Sequence, residues 1–121
     1  MKEIIAIIRP RKIGETRNAL EQLGFPSLTA TAVLGRGLQR GIAAEVKHIN
    51  PDLLAPNHAG GMKYIPKRLV SIVVKNVDVA TVVKTIIEVN QTSQVGDGKI
   101  FVCPIEDAMR VRTDEHGESA V

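Results

Sequence analysis

The order strand, helix, strand occurs twice along this chain of 121 residues, and this repeat limits the folds that it can adopt. In the first unit, the continuous apolar run at residues 4–8 is typical of a buried strand. Apolar residues then recur at helical spacing over residues 12–23, and Gly24 predicts the end of that helix. Small apolar residues and threonines alternate over residues 28–34, which predicts a second strand.

The second unit repeats this plan after residue 68. Residues 69–74 are rich in β-branched side chains and predict a strand, and Asp78 is expected to cap a helix with an apolar face over residues 79–87. Residues 99–103 give a fourth strand, and residues 109–112 a further short one. Two such units predict an α+β fold of the ferredoxin-like βαββαβ type, in which two helices cover one face of an antiparallel four-stranded sheet.

The other face of this sheet would have nothing to cover it. Apolar side chains such as Ile5, Ile7 and Val73 would be exposed if they lie on that face. A contiguous apolar surface of this kind favours association. We therefore expect the chain to form an oligomer.

Composition and charge fit one domain spanning residues 1–121. The hydrophobic content of 44% is ordinary for a soluble globular protein, and no apolar run is long enough to cross a bilayer or to form a signal peptide. The single cysteine, Cys103, cannot form an internal disulfide, so we expect a cytoplasmic protein without membrane insertion. A net charge of +3 with 2% aromatic residues argues against nucleic-acid binding.

Residues 35–66 connect the two units and contain no convincing helix or strand. Connections of this length are uncommon inside compact domains and are usually functional loops or linkers. Cations stand at both ends of the segment, in GRGLQRG at residues 35–41 and in IPKR at residues 65–68. Because the flanking strands are predicted to be neighbours, these two basic ends should lie close together. The polar tail, residues 114–121, is expected to be flexible.

The sequence GDGK at residues 96–99, followed by Arg110 and Arg112, combines a glycine turn with cations. Glycines let backbone N–H groups approach phosphate oxygens, while Lys and Arg side chains add charge. The pattern indicates a polyanion site if these groups are aimed at one point. The turn alone is also typical of a connection between two short strands with solvated cations beside it, so both interpretations stay open.

Catalysis finds little support in the sequence. His48, His58 and His116 have no second ligand at metal-binding spacing, and surface histidines are the better interpretation. The adjacent Glu106 and Asp107 point apart in a strand or a helix and form no acid–base pair. We therefore predict that the chain is not an enzyme.

Several segments together resemble the PII signal-transduction proteins of nitrogen regulation. The matching segments are MKEIIAIIRPRKI at the start, GRGLQRG at residues 35–41, IPKRL at residues 65–69 and GDGKIFVCPIEDAMRVRT at residues 96–113. They are spread along the chain, so the resemblance extends over nearly its whole length. The glycine-rich start of the loop, the IPKRL segment and the phrase IIEVN before the turn look most like the second paralogue of the nitrogenase-associated branch.

This resemblance implies a homotrimer that binds ATP or ADP in clefts between its subunits. Residues 96–99 would wrap the phosphates, the two downstream arginines would reach the same nucleotide, and the remaining residues would shape the base and ribose pocket. The positions that the resemblance assigns to the nucleotide are Ile7, Thr29, Gly35, Gly37, Gln39, Val73, Gly96, Asp97, Gly98, Lys99, Arg110 and Arg112.

The resemblance also implies that 2-oxoglutarate binds beside ATP at the base of the long loop, which this family calls the T-loop, here about residues 37–66. Gln39 would bring an amide oxygen to a Mg²⁺ ion, which prefers oxygen ligands and shares them with phosphates. Lys67 would hold the distal carboxylate, and Gly41 belongs to the same site. Judged without the resemblance, Gln39 is an ordinary loop residue and Lys67 a solubilising cation at a strand end.

Two positions depart from the pattern of the family. Many PII proteins carry a basic residue at the position of Leu38, so Arg36 or Arg40 would have to replace its contact with the terminal phosphate. The tip of the loop has no tyrosine at the usual uridylylation position, and Tyr64 lies near the exit of the loop instead. Regulation is therefore expected to depend on ligands alone.

The function implied is that of a ligand-gated regulator whose T-loop changes its fit to a target protein, with the tip residues Ile49, Leu53 and Leu54 as the partner surface. For this branch the implied target is the nitrogenase component that carries the iron–molybdenum cofactor, inhibited when 2-oxoglutarate is low. The assembly would be a homotrimer or an oligomer mixed with the first paralogue. Alternatives are a general PII adaptor for an ammonium channel or glutamine synthetase, and a small ferredoxin-like enzyme or RNA-binding module.

Overall fold

The computed structural model describes residues 1–37 and 64–121, and within them it confirms the predicted α+β fold. The strands are β1 (Lys2–Ile8), β2 (Thr29–Arg36), β3 (Tyr64–Val74) and β4 (Lys99–Pro104), and the helices are α1 (Ile13–Gln22) and α2 (Val79–Asn90). Short 3-10 turns at Pro10–Lys12 and Asn76–Asp78 lead into the two helices, and another, Gly117–Ala120, lies near the C-terminus.

The four strands form one antiparallel sheet in the order β2-β3-β1-β4, which is the ferredoxin-like arrangement expected from the sequence. The central strand β1 pairs with β3 on one side and with β4 on the other, so Ile7 lies opposite Lys99 and Lys2 opposite Pro104. The sheet therefore has two ends. We call them the loop end, with Ile8, Arg36, Arg68 and Lys99, and the tail end, with Lys2, Val74 and Pro104.

The core lies between the sheet and the two helices, because alternate residues of each strand face the helices. Its buried members are Ile4, Ala6, Ile8, Leu20, Val70, Ile72, Val74, Val82 and Ile86. Between them, Ile5, Ile7 and Val73 point to the other face and are only half-buried. The apolar face that the sequence predicted to lack a cover is therefore present in the single chain.

Strand β3 begins at Tyr64, five residues earlier than the sequence suggested. Its pairing with β2 runs from Thr29 opposite Ser71 to Arg36 opposite Tyr64, so residues 64–68 belong to a strand although they were expected in or next to the loop. Pro66 is accommodated within this pairing, opposite Leu34. The expectation that the two basic ends of the connection meet is confirmed.

The segment after β4 also differs from the expectations. The predicted strand at residues 109–112 is wrong, because within residues 105–121 the structure has only a single bridge between Met109 and His116. The tail, expected to be flexible, returns onto this segment: the Gly117 N–H donates to the Ala108 carbonyl at 2.9 Å, and the Arg110 Nη2 donates to the Ser119 carbonyl at 3.1 Å.

The start of α2 corrects another detail. Asp78 stands at the N-cap position as predicted, but its carboxylate makes no capping hydrogen bond. Its backbone is already helical, with φ −95° and ψ −10°, because the 3-10 turn Asn76–Asp78 leads directly into the helix. An N-cap side chain needs an extended backbone to reach back to the first free N–H groups.

A buried polar contact joins the two helices. Asn90 Nδ2 donates to Thr16 Oγ1 at 3.0 Å and to the Ile86 carbonyl at 2.9 Å, and both side chains are buried. We expect Asn90→Ala to lower the free energy of unfolding by about 1–3 kcal/mol, since it removes two buried hydrogen bonds. Urea denaturation measures this loss.

Thr16→Val tests whether the contact itself is responsible. It removes the acceptor of the Asn90 amide, so its effect should add less than fully to that of Asn90→Ala. Thr85→Val is the matched control, because Thr85 Oγ1 donates only within α2, to the Thr81 carbonyl at 2.8 Å. Full additivity of Asn90→Ala and Thr16→Val would contradict a shared contact.

Candidate functional site

The GDG turn, residues 96–98, connects α2 to β4 and lies against the loop end of β1. Gly96 and Gly98 have φ values of +100° and +116°, which favour glycine. A Cβ at Gly98 would lie 1.9 Å from the carbonyl oxygen of Ile7. The turn therefore approaches the backbone of the central strand so closely that only glycine fits.

The carboxylate of Asp97 is turned toward its own loop. It accepts hydrogen bonds from the N–H groups of Thr92 at 2.7 Å and Ser93 at 2.9 Å, from the Thr92 hydroxyl, and from Arg9 Nη1 at 2.5 Å. The Thr92 hydroxyl, followed by the Arg9 guanidinium, holds the pKa of this carboxyl well below its usual range. Asp97 is therefore ionised near neutral pH and serves to shape the turn.

Lys67, in the inner strand β3, contacts the same turn. Its ammonium group donates to the Gly96 carbonyl at 2.7 Å, and the residue is 8% exposed. Its aliphatic stem lies beside Gly35, where an added Cβ would be 3.5 Å from Lys67 Cγ. Because β3 is an inner strand and Lys67 is buried, the alternative of a solubilising cation at a sheet edge is wrong.

At the loop end, the structure brings together the larger part of the positions that the resemblance assigned to a nucleotide. Lys99 begins β4 opposite Ile7, and Gly35 lies near the end of β2 beside Lys67. Gly37 directly follows that strand. The assigned positions at this end are Ile7, Gly35, Gly37, Gly96, Asp97, Gly98 and Lys99.

Among the described residues, Val73 and Arg110 lie at the tail end, where they line a cavity of ≈ 480 Å³ together with Lys75. Thr29 begins β2 opposite Ser71 and is level with Ile5, in the middle of β1. Since β4 has six residues, Lys99 and the segment that carries Arg110 are separated by about 17 Å of strand. The expectation that the turn and the downstream arginines meet at one point is therefore not met within a single chain.

Arg110 has partners of its own at the tail end. Its Nη1 pairs with Glu115 Oε1 at 2.9 Å, and its side chain is 37% exposed. Arg112, two residues on, is exposed. These two cations are thus presented at the tail end, where a second molecule could reach them.

Five assigned positions lie outside the described residues. They are the proposed 2-oxoglutarate and Mg²⁺ positions Gln39 and Gly41, and the loop-tip residues Ile49, Leu53 and Leu54.

Sequence reasoning missed the roles of Arg9 and Thr92. Arg9 follows β1 and is 5% exposed, yet the sequence showed it only as one of several cations. The signal for Thr92 was its spacing, since a hydroxyl five residues before an aspartate can close a loop onto that carboxylate.

An apolar groove of ≈ 460 Å³ lies beside the turn, between α2 and β4. Its apolar lining includes Val83, Ile86 and Val102, and its other lining residues are Asn90, Gln91, Asp97, Gly98 and Lys99. Lys99 is the one cation among the described residues that line it. Over residues 1–37 and 64–121, no helix is long and apolar enough to cross a membrane.

Comparison with known proteins gives one consistent result. The family model described as nitrogen regulatory protein P-II matches residues 1–115. The chain is 56% identical over 121 residues to the nitrogen fixation nifHD region GlnB-like protein 2 of Methanobacterium ivanovii, covering 100% of this chain and 99% of the relative. In Methanothermobacter marburgensis, GlnB-like protein 2 is 54% identical over 100% of both chains. GlnB-like protein 1 of that organism is 43% identical, over 97% of this chain and 99% of the relative.

Proposed function

Because the chain belongs to the nitrogen regulatory protein P-II family and is similar over its whole length to the second of the nifHD-associated paralogues, we propose that it is a non-enzymatic cytoplasmic regulator that binds ATP or ADP between its subunits. The division of the assigned nucleotide residues between two ends of the sheet carries this proposal. A second copy whose tail end meets the loop end of the first would bring Arg110 to Lys99. Such head-to-tail contacts close into rings, and the family resemblance implies three subunits.

The uncovered face of the sheet supports assembly. Ile5, Ile7 and Val73 are half-buried there, and Phe101 is 46% exposed. Burying such a surface against other copies stabilises an oligomer by about 25 cal/mol for each Å² of apolar area removed from water. An oligomer mixed with the first paralogue would bury the same face.

For 2-oxoglutarate and Mg²⁺ the fitting residues are Lys67 and Gln39. Lys67 holds a buried ammonium at the loop end, next to the turn, where a carboxylate could accept a charge-assisted hydrogen bond. The amide oxygen of Gln39 suits a hard cation, and a bound Mg²⁺ would offset the negative charges of the keto acid and the ATP phosphates. Gln39 and Gly41 would then report the ligand to the T-loop.

The proposed output is a change in the T-loop conformation that alters the fit of its tip to a target. A ligand can shift this equilibrium only by binding one conformation better than the other. Because the relatives are named for the nifHD region, we propose a nitrogenase component as the target. The regulator would bind and inhibit this component when 2-oxoglutarate is scarce, and release it when 2-oxoglutarate is abundant. Pull-down with nitrogenase, an ammonium channel and glutamine synthetase separates this target from those of a general adaptor.

Calorimetry tests the sensing site. We expect 2-oxoglutarate to bind only together with Mg-ATP, and Gln39→Ala and Lys67→Met to weaken this binding at least about tenfold, because each removes a direct polar or charged contact. Methionine keeps an unbranched stem beside Gly35 and removes only the ammonium group.

Lys84→Met is the control, because Lys84 is exposed on α2 and pairs only weakly with Glu88, at 3.8 Å. It should bind both ligands like the unaltered protein. Binding of 2-oxoglutarate that is unchanged in both Gln39→Ala and Lys67→Met would rule out this sensing site.

A further inference from the structure

The segment between α2 and β4, residues 91–98, has a shape that helix and strand hydrogen bonds do not fix. Ser93, Gly96 and Gly98 all have positive φ, at 65°, 100° and 116°. Such a backbone persists only where its surroundings over-determine it, most of all at Ser93, which is not glycine. Side-chain contacts must therefore hold this segment in place.

Asp97 and Arg9 supply several of those contacts, beside the Thr92 hydroxyl and the Lys67 ammonium already described. Asp97 accepts from both N–H groups at the start of the segment, those of Thr92 and Ser93. Arg9 reaches the segment at two points, with Nη1 on Asp97 at 2.5 Å and Nη2 on the Val95 carbonyl at 3.0 Å. The planar guanidinium suits such a two-point contact.

Arg9 is well placed to act as a rigid support. It directly follows β1, whose pairing with β3 and β4 sets its position, and it is 5% exposed. The same strand end meets the turn at Gly98, through the Ile7 carbonyl. Arg9 thus fixes the turn relative to the central strand of the sheet.

Charge adds a second reason for the pairing. Asp97 stands inside the turn that, under the proposed function, faces nucleotide phosphates. An unpaired carboxylate there would repel a triphosphate. The Arg9 guanidinium and the hydrogen bonds from residues 92 and 93 neutralise this charge and direct it away from the phosphates.

We propose that Arg9 and Asp97 are positioning residues, an ion pair that shapes the GDG turn for nucleotide phosphates and shields them from the aspartate without touching the nucleotide. This inference rests on the proposed function. It predicts that the negative charge of Asp97 weakens nucleotide binding once Arg9 is removed.

Nucleotide affinity measured on four proteins tests the pair: the unaltered chain, Arg9→Met, Asp97→Asn and the double variant. Arg9→Met should weaken ATP binding at least about tenfold, more for ATP than for ADP, and the loss should shrink as salt is raised. Adding Asp97→Asn to Arg9→Met should restore a large part of the affinity, because it removes the exposed negative charge. Arg17→Met, at an exposed position of α1, controls for the loss of one positive charge and should bind normally.

A merely structural role would also give some rescue, since removing Asp97 as well as Arg9 takes away an unpaired, largely buried charge. That rescue would be equal for ATP and ADP and independent of salt, whereas charge shielding predicts a rescue that is larger for ATP and shrinks as salt is raised. An equal, salt-independent rescue would therefore overturn the charge-shielding role. Weaker or equal binding of the double variant compared with Arg9→Met would overturn the charge-shielding role, and normal binding by Arg9→Met would overturn the pair altogether. If the unaltered chain bound neither ATP nor ADP, the proposed function would itself fail. Amide hydrogen exchange at Thr92 and Ser93 reports on the contact without nucleotide, and it should quicken in Asp97→Asn.

Discussion

Gly98→Ala is expected to abolish measurable nucleotide binding while the sheet and helices stay folded. The added Cβ would lie 1.9 Å from the Ile7 carbonyl oxygen, a backbone atom in the central strand that cannot move independently. The turn must therefore shift outward by about 1 Å or more, and displacements of this size cost about 100-fold at sites that depend on positioning. The φ of +116° adds strain for any residue with a side chain.

The measurement is calorimetric titration with ADP, combined with circular dichroism to check the fold. Gly14→Ala is the control, because Gly14 lies in α1 and an added Cβ there meets nothing within 4 Å. It should bind nucleotide like the unaltered protein. An equal loss of binding in both variants would show that the contact of residue 98 with β1 is not responsible.

The fold was predictable because its signals are local. The continuous apolar run at residues 4–8 predicted a buried strand, and the structure has β1 there with Ile4, Ala6 and Ile8 in the core. The early start of β3 was not predictable in this way, since Pro66 and the cations after it are typical of a loop. Lys67 is accepted in an inner strand because its ammonium reaches the Gly96 carbonyl, 29 residues away in sequence, and only the tertiary structure shows that contact.

The candidate site could also be predicted only in part. Gly96, Gly98 and Lys99 lie within four residues of sequence, so their motif could be recognised directly. The ion pair between Arg9 and Asp97 joins residues that are 88 positions apart, and no local sequence pattern predicts it. The position of Arg110 depends on the direction of β4 and on the hydrogen bonds between the tail and the segment that carries Arg110. The sequence motif of two arginines after a turn therefore could not show that Arg110 lies at the opposite end of the sheet from the turn.

This separation makes a mixing experiment decisive. Lys99→Ala and Arg110→Ala should each bind ATP poorly as pure proteins, since every site then lacks one cation. When the two are refolded together in equal amounts, about a quarter of the sites in a cyclic assembly should combine an intact Lys99 with an intact Arg110 from the neighbouring copy. These sites should bind ATP with the affinity of the unaltered protein.

A site contained within one chain predicts a different result, because no mixture of the two variants would then restore binding. A second experiment mixes the unaltered chain with the Lys99→Ala, Arg110→Ala double variant in equal amounts. About a quarter of the sites remain intact if two copies share each site, and about half if they do not.

Glu115→Gln is the control for an indirect effect, since it weakens the ion pair that holds Arg110 at the tail end but keeps the guanidinium. If Glu115→Gln binds ATP as poorly as Arg110→Ala, the loss comes from altered packing of the tail. If Glu115→Gln binds ATP normally, the positive charge of Arg110 is the part of the site that a neighbouring copy supplies.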